Sequence, residues 1–318
     1  MIFHKLIIKI PKFLSKLAVP TGYLAFFFKK YFNLNIYHFN SCIDLNLKCS
    51  FCKNNKFNQY LSICTPDFDI SLLTDELLKK FYLRSIGKCT NCGLIQDYNR
   101  PSIDNIKDLR KLSSSKDDMT TEEIWKSYPV PQKEISRLYK MYYQNKFLKW
   151  DQNKIFKNTH KKILFLRPTL GFDIEYFKNR GGGDLHIYFA DVSKVSEITI
   201  LKKHPEVKKV DFCIHQIYSG NFDKYNNYFD LIISNHHLVH IYDLDDSLKK
   251  IQNLINLNGM ILFSDEIKIK PWNPFHYNFY DKQMFNKILK KYFCKVKEIN
   301  NFDKKNNIYS SNTCFLVS

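Results

Sequence analysis

Four cysteines are spaced for chemistry: Cys49-Ser50-Phe51-Cys52 and Cys89-Thr90-Asn91-Cys92, two C-x-x-C pairs with 36 residues between them. Each pair offers two thiolates from one tight turn. Together they can build a closed tetrahedral sulfur site of the kind that holds structural zinc. Gly93 follows the second pair, where a knuckle needs a permissive backbone. His38, Cys42 and Cys64 are spare ligands within reach in the sequence. A second group is rich in histidine: His236, His237 and His240 follow one apolar run, and His215 and His276 lie further away. Histidine titrates near neutral pH, which suits a general base. Asp191 and the pair Asp265-Glu266 each end an apolar run, where a carboxylate could bond a ligand.

The elements that must position these groups are clearest between Tyr228 and Glu266. Phe229 to Ile233 is a short apolar run broken by Asp230, which reads as a buried strand. Leu244, Leu248, Ile251, Leu254 and Ile255 recur three and four apart, the apolar face of a helix. Asp245 and Asp246 sit at its start, where the helix dipole favours carboxylates, and Asn258-Gly259 supplies a stop. Met260 to Phe263 is a further strand. Strand, helix, strand with short joins implies a right-handed crossover in a parallel sheet. Ligands of such sheets bind outside the carboxyl ends of the strands, where the histidines and Asp265 fall.

The same alternation runs from residue 159 to 318. Ile163 to Leu166, Leu185 to Ala190 and Val207 to Ile214 read as strands, with helices opening after Gly171 and around Ile198 to Leu201. Met284 to Phe293 reads as a last helix, and Val296 to Ile299 and Thr313 to Val317 as closing strands. The expected fold is α/β: a Rossmann-like seven-stranded sheet with a small N-terminal cysteine-knuckle module.

The chain divides into an apolar, basic arm (1–41), the knuckle module (42–98), a polar linker with covering helices (99–158) and the α/β domain (159–318). The arm has no run of about 18 apolar residues, the minimum for a spanning helix. Packing on the rest of the protein is its simplest role, with peripheral membrane contact through Lys and Phe as the alternative. The 318 residues carry nine cysteines and a formal charge of +18. The odd cysteine count, and no cleavage site after a clean apolar core, point to a reducing, cytoplasmic setting. The charge implies either base-composition drift or an anionic partner. Too little aromatic and basic interleaving surrounds the knuckles to favour nucleic acid.

Several of these motifs resemble class I S-adenosylmethionine (SAM) methyltransferases. The pattern Phe229-Asp230-Leu231-Ile232, a His-rich loop ending in His240, a helix, then Asn258-Gly259 and an apolar strand is similar to that family's fourth and fifth strands. Cys89 to Gln96, with the earlier C-x-x-C pair, resembles the zinc module that precedes the SAM domain in sugar C-methyltransferases and their relatives. The resemblance implies SAM and Zn2+ as cofactors, with Cys49, Cys52, Cys89 and Cys92 as metal ligands. It places the cofactor turn at Leu166-Arg167-Pro168-Thr169-Leu170-Gly171, where Arg167 and Thr169 stand at positions the family fills with glycine and Gly171 remains. Asp191 takes the place of the ribose-binding acid, and His215, Asn235 and His236 fall at the ends of the third and fourth strands. His240, His237 and His276 are the candidate bases. The implied function is methyl transfer to a small-molecule, glycan or nucleotide-sugar acceptor. Its rivals are a catalytically degenerate scaffold of the same fold and a zinc-containing nucleic-acid-binding protein.

Overall fold

The computed structural model describes residues 48–65, 82–97, 147, 150, 151, 154–157, 159–168, 171–181, 184–190, 194–214, 218–266, 276–299 and 312–318. The arm over 1–41, Thr169, Asp191, His215 and most of the covering segment 99–158 lie outside them. The chain separates into two compact units, 1–118 with 269–279, and 119–268 with 280–318.

In the first unit, strands β1 (Phe57–Thr65), β2 (Tyr82–Cys89) and β3 (Ile95–Asp97) form an antiparallel sheet in chain order. A fourth strand pairs with β3 but comes from far along the chain, Asn278–Phe279. Among the described residues, Phe279 and Ile86 are buried together, with Ile95 packed against them.

The second unit is built on a seven-stranded sheet. Its strands in chain order are β4 (Lys162–Leu166), β5 (His186–Ala190), β6 (Lys208–Lys209), β9 (Phe229–Asn235), β10 (Ile255–Glu266), β12 (Val296–Ile299) and β13 (Asn312–Val317); β7 (Phe212–Ile214) and β8 (Tyr218–Gly220) form a separate hairpin, and Asn278–Phe279 of the first unit is β11. Across the sheet the order is β12-β13-β10-β9-β4-β5-β6. The inner pairs are parallel, and β13 runs antiparallel between β10 and β12. This is the Rossmann-like seven-stranded arrangement the alternation implies.

Between β4 and β5 runs α1 (Phe172–Gly181), between β5 and β6 α2 (Lys194–Lys203), between β9 and β10 α3 (Leu244–Leu254), and before β12 α4 (Lys282–Tyr292). Every described residue of β4 after Lys162 is buried, as is β9 apart from Asp230. Strands covered on both faces read as continuous apolar runs, which is why these two stand out in the sequence. One face packs Ile163, Phe165, Phe189, Leu231 and Ile233 against Ile174 and Phe177 of α1 and Ile200 of α2. Trp150 and Phe147, from the end of the covering segment, join the same core, and Phe147 stacks on Tyr176 with ring centroids 4.3 Å apart.

Two local differences from the sequence reading have physical causes. The third strand, read as Val207 to Ile214, is split: only Lys208–Lys209 joins the sheet, and Phe212–Ile214 folds back on Tyr218–Gly220. Gly220 permits this at φ +107, where a Cβ would lie 2.5 Å from the Asp211 carbonyl oxygen. Helix α3 ends at Leu254, ahead of the expected Asn258-Gly259 stop, because Ile255 is already extended and pairs with Phe229.

Candidate functional site

In the first unit the two knuckles share one backbone design. Cys49 N–H donates to Asn54 O at 2.7 Å and Cys89 N–H to Leu94 O at 2.8 Å. Lys53 N–H donates to Cys49 O and Gly93 N–H to Cys89 O, each at 3.0 Å. Lys53 (φ 62) and Gly93 (φ 86) both take the left-handed conformation that closes the turn. Twin turns of this kind present four sulfurs to one point. Cys49 Sγ lies 3.6 Å from Cys92 Sγ, Cys52 Sγ lies 3.5 Å from Cys89 Sγ, and all four fall within 4.8 Å of one another. Zinc–sulfur bonds of about 2.3 Å in a tetrahedron place the sulfurs about 3.8 Å apart, so the four fit a zinc ion. Leu94 N–H points at Cys92 Sγ and Asn54 Nδ2 at Cys89 Sγ, donors that favour thiolates. The hydrogen bond from Cys92 lowers Cys49 to about 5, while the same contact pushes Cys92 up.

Around the first knuckle, Ser50 N–H donates to Gln96 Oε1 at 2.9 Å and Ser50 Oγ to Asn278 Oδ1 at 2.7 Å. Asp97 N–H donates to Tyr277 O at 2.9 Å. Ser50, Gln96 and Asn278 are buried, so this network ties the knuckle to the strand that carries Asn278. His276, two residues before that strand, is also buried and belongs to the first unit.

The second unit gathers its polar groups at the carboxyl ends of β4, β9 and β10. Register brings Leu166 level with Ser234 and Ala190, and Asn235 level with Ser264. Directly past these ends, Arg167 (φ 59) and His236 (φ 47) both turn left-handed. Arg167 therefore keeps the backbone shape glycine would give. Its N–H bonds Ala190 O at 2.9 Å, and its Nη1 donates to His236 O at 2.7 Å. Gly171 (φ 79) ends the turn, where a Cβ would meet Ile200 Cγ1 at 3.4 Å. Asp173, in the first turn of α1, accepts from Asn235 Nδ2 at 3.2 Å, both buried.

Asp265 is a second buried acid of this rim. Its Oδ2 accepts the Leu238 N–H at 2.6 Å and its Oδ1 lies 3.8 Å from His236 Nδ1. Burial, reinforced by the Asp265 charge, pushes the Tyr280 phenol well above its ordinary value. His236 is 32% exposed at its side chain. His237 and His240 are buried on the short 3-10 turn that follows, the His236 and His240 rings being 5.4 Å apart and near perpendicular. Of the predicted residues, the structure thus brings together Arg167, Gly171, Asn235, His236, His237 and His240. Asp173 and Asp265 join them; Asp265 had only its place after an apolar run to mark it, and Asp173 had no signal.

No protein-family model and no curated protein matches the sequence. Solved structures do. The chain is similar to 1,6-didemethyltoxoflavin-N1-methyltransferase of Burkholderia thailandensis, at 13% identity over 74% of this chain and 93% of that one, TM-score 0.46. It is similar to the CurJ carbon methyltransferase at 13% identity, over 52% of this chain and 50% of that one, TM-score 0.42. The DszA carbon methyltransferase matches at 13% identity, over 51% and 48%, TM-score 0.39. The chain thus spans about half the length of the latter two. Likeness this distant carries no argument about chemistry; the fold rests on the strand order. Among the described residues no helix is long and apolar enough to cross a membrane.

Proposed function

We propose that the chain is a SAM-dependent methyltransferase acting on a small-molecule or glycan acceptor, with zinc stapling its first unit. The observation that carries this is the strand order, with an antiparallel β13 inserted between β10 and β12. It is a fold-level warrant, joined to a polar rim at the strand ends where such sheets bind ligands. Bound there, SAM supplies an electrophilic methyl group. The Arg167–Gly171 turn faces the cofactor, Asp191 bonds its ribose, and Asn235 with Asp173 fixes the wall between β4 and β9. A histidine takes the acceptor proton: His240, His237 and His276 are the candidates from the resemblance, and His236 is the more exposed neighbour of the first two. The four thiolates leave zinc no open position, so its role is structural. The +18 charge suits an anionic acceptor such as a phosphorylated or nucleotide-linked sugar.

Titration calorimetry of the purified chain with SAM and with S-adenosylhomocysteine tests this reading. Saturable binding, weakened at least tenfold by Asp191→Ala, is the expected result. No heat with either ligand overturns it.

One observation favours a second reading, a scaffold of the same fold without SAM chemistry. The Arg167 side chain reaches from the end of β4 to the end of β9, over the edge a cofactor would use. The same calorimetry separates the two.

A further inference from the structure

We infer that the four cysteines are also a modification site, where oxidation replaces the zinc staple with two disulfides that cross between the knuckles, Cys49 to Cys92 and Cys52 to Cys89. Proximity selects these partners. Cys49 Sγ lies 3.6 Å from Cys92 Sγ and Cys52 Sγ lies 3.5 Å from Cys89 Sγ, so both short contacts run from one knuckle to the other. Closing each by roughly 1.5 Å reaches the S–S bond length of about 2.05 Å, a move within the swing of a cysteine side chain. Each pair also joins a partly exposed sulfur, Cys92 or Cys52, to a buried one, Cys49 or Cys89. An oxidant from solvent meets the first, and the second stands beside it to resolve the product.

The knuckles have ties of their own besides the sulfurs. Thr90 N–H donates to Lys56 O at 3.1 Å, and Asn54 Nδ2 donates to Thr90 Oγ1 at 3.0 Å, both from one knuckle to the other. Phe57 of β1 pairs with Cys89 of β2 directly beside them. Departure of the ion therefore leaves the sulfurs facing one another. Hydrogen peroxide is an oxidant this chemistry takes. The Cys92 thiolate attacks one peroxide oxygen, becomes a sulfenic acid and releases hydroxide. The Cys49 thiolate then attacks that sulfur and expels the second oxygen as hydroxide. Cys52 and Cys89 react alike with a second peroxide. Each bond thus transfers two electrons from sulfur to peroxide, and Zn2+, which has no redox chemistry, leaves unchanged. The crosslinks join cysteines 43 and 37 residues apart in sequence, so they restrict the unfolded chain more than a C-x-x-C bridge does. They keep the first unit tied while the metal is away, and a reducing compartment reverses them. The exchange rests on the zinc reading; the pairing of the sulfurs does not, and neither depends on methyl transfer.

Peptide mapping is the test. Zinc-loaded full-length protein is treated with hydrogen peroxide beside a zinc-sensitive dye, remaining thiols are alkylated, and the digest is read without reduction. Complete release of the zinc, with the 49–52 peptide linked to the 89–92 peptide, is the expected result. Retained zinc, zinc release without any disulfide, bridges inside either C-x-x-C, or bridges to Cys42 or Cys64 overturn the proposal. Single substitutions then assign the partners. Cys52→Ser is expected to give a bond from Cys49 to Cys92 with Cys89 alkylated, and Cys49→Ser a bond from Cys52 to Cys89 with Cys92 alkylated; any other pairing overturns the assignment. In denaturant the same oxidation should move the bridges into the C-x-x-C pairs, which close the shortest loops. Crossed bridges there too would show that the fold does not choose them. Hydrogen exchange needs no substitution: residues 276–279 should stay protected in the oxidised, metal-free chain and lose protection on reduction. Loss of protection already in the oxidised chain overturns the staple. A chain that takes up no zinc defeats the zinc reading alone, because the same mapping on metal-free protein still decides the pairing.

Discussion

Arg167 Nη1 donates a hydrogen bond to the main-chain oxygen of His236 at 2.7 Å, joining the first residues past two neighbouring parallel strands. Both residues are left-handed, so two positions outside the favoured backbone regions for side-chain-bearing residues meet at the rim. Strain of this kind persists where the surroundings over-determine it, and it clusters at binding sites.

The bond makes Arg167 the residue that divides the two readings. Where the guanidinium holds the cofactor carboxylate, Arg167→Ala weakens SAM binding by roughly tenfold to a hundredfold, the loss of about 1.5–3 kcal/mol for a charge-assisted bond. Where it seals the rim, Arg167→Gly creates SAM binding the native chain lacks. Calorimetry on the two variants beside the native chain checks this. The methyltransferase reading expects the first outcome.

Metal removal is expected to act at a distance in sequence but within the first unit. Chelation should loosen the two knuckles and, through Ser50 and Gln96, the strand at Asn278–Phe279. Hydrogen exchange should therefore rise together in peptides covering 49–54, 89–97 and 276–279. Ser50→Ala leaves the buried Asn278 oxygen without that donor, at a cost of about 1–3 kcal/mol. It should raise exchange at 276–279 while zinc content is kept. Unchanged exchange there on chelation would show that the strand is held independently of the metal.

What the sequence revealed, and what it hid, follows from the range of the interactions. Leu244, Leu248, Ile251 and Leu254 mark α3 because a helix repeats its apolar face locally. Its cap, Asp243, which accepts from Asp246 N–H at 3.0 Å, was within reach of the same reasoning two residues earlier than Asp245. The cysteine spacing likewise carried its geometry, since each knuckle is a local turn. The bond from Ser50 to Asn278 spans 228 residues, and no periodicity encodes such a pairing. Asp265 read as the end of a strand; its partners Leu238 and His236 come from the neighbouring strand's exit, which only the β9–β10 register sets. The split at Asp211 was hidden because Phe212 to Ile214 is as apolar as a sheet strand.

The twin knuckles differ at one position, and the difference sets a stability test. Lys53 and Gly93 are equivalent, both left-handed and both donating to the first cysteine of their pair. A side chain in that conformation costs about 1 kcal/mol where glycine costs little. Lys53→Gly is therefore expected to stabilise the metal-loaded protein by up to about 1 kcal/mol, and Gly93→Ala to destabilise it by about as much. Denaturant midpoints on zinc-loaded samples check both. Opposite signs at the two sites are the point: two destabilising substitutions would mean the turns are not equivalent.

Acid sensitivity should be traceable to His160. It is buried just before β4, accepts the Lys157 N–H on Nδ1 at 3.3 Å and packs edge-on against Phe156. Burial first, then the Lys157 charge, lowers it to about 4, with Asp230 opposing. Its unfolded value is about 6.5. Above about 6.5 both states hold the ring neutral and stability does not depend on it. As pH falls below that, the unfolded chain takes up a proton that the folded chain refuses, so stability is lost down to about 4. At about 1.4 kcal/mol per unit, the loss is about 3 kcal/mol across the window. His160→Gln should flatten the stability profile between pH of about 6.5 and 4. Asp245 supplies the control, because Lys249, Lys291 and Tyr292 donate to its partly buried carboxylate and hold it well below the usual range. Its contribution is present above about 3.9 and fades only at lower pH. Asp245→Asn should lower stability at neutral pH and leave the slope between 6.5 and 4 unchanged. Urea titrations of the native chain and both variants at several pH values decide it; a slope that survives His160→Gln places the titrating group elsewhere.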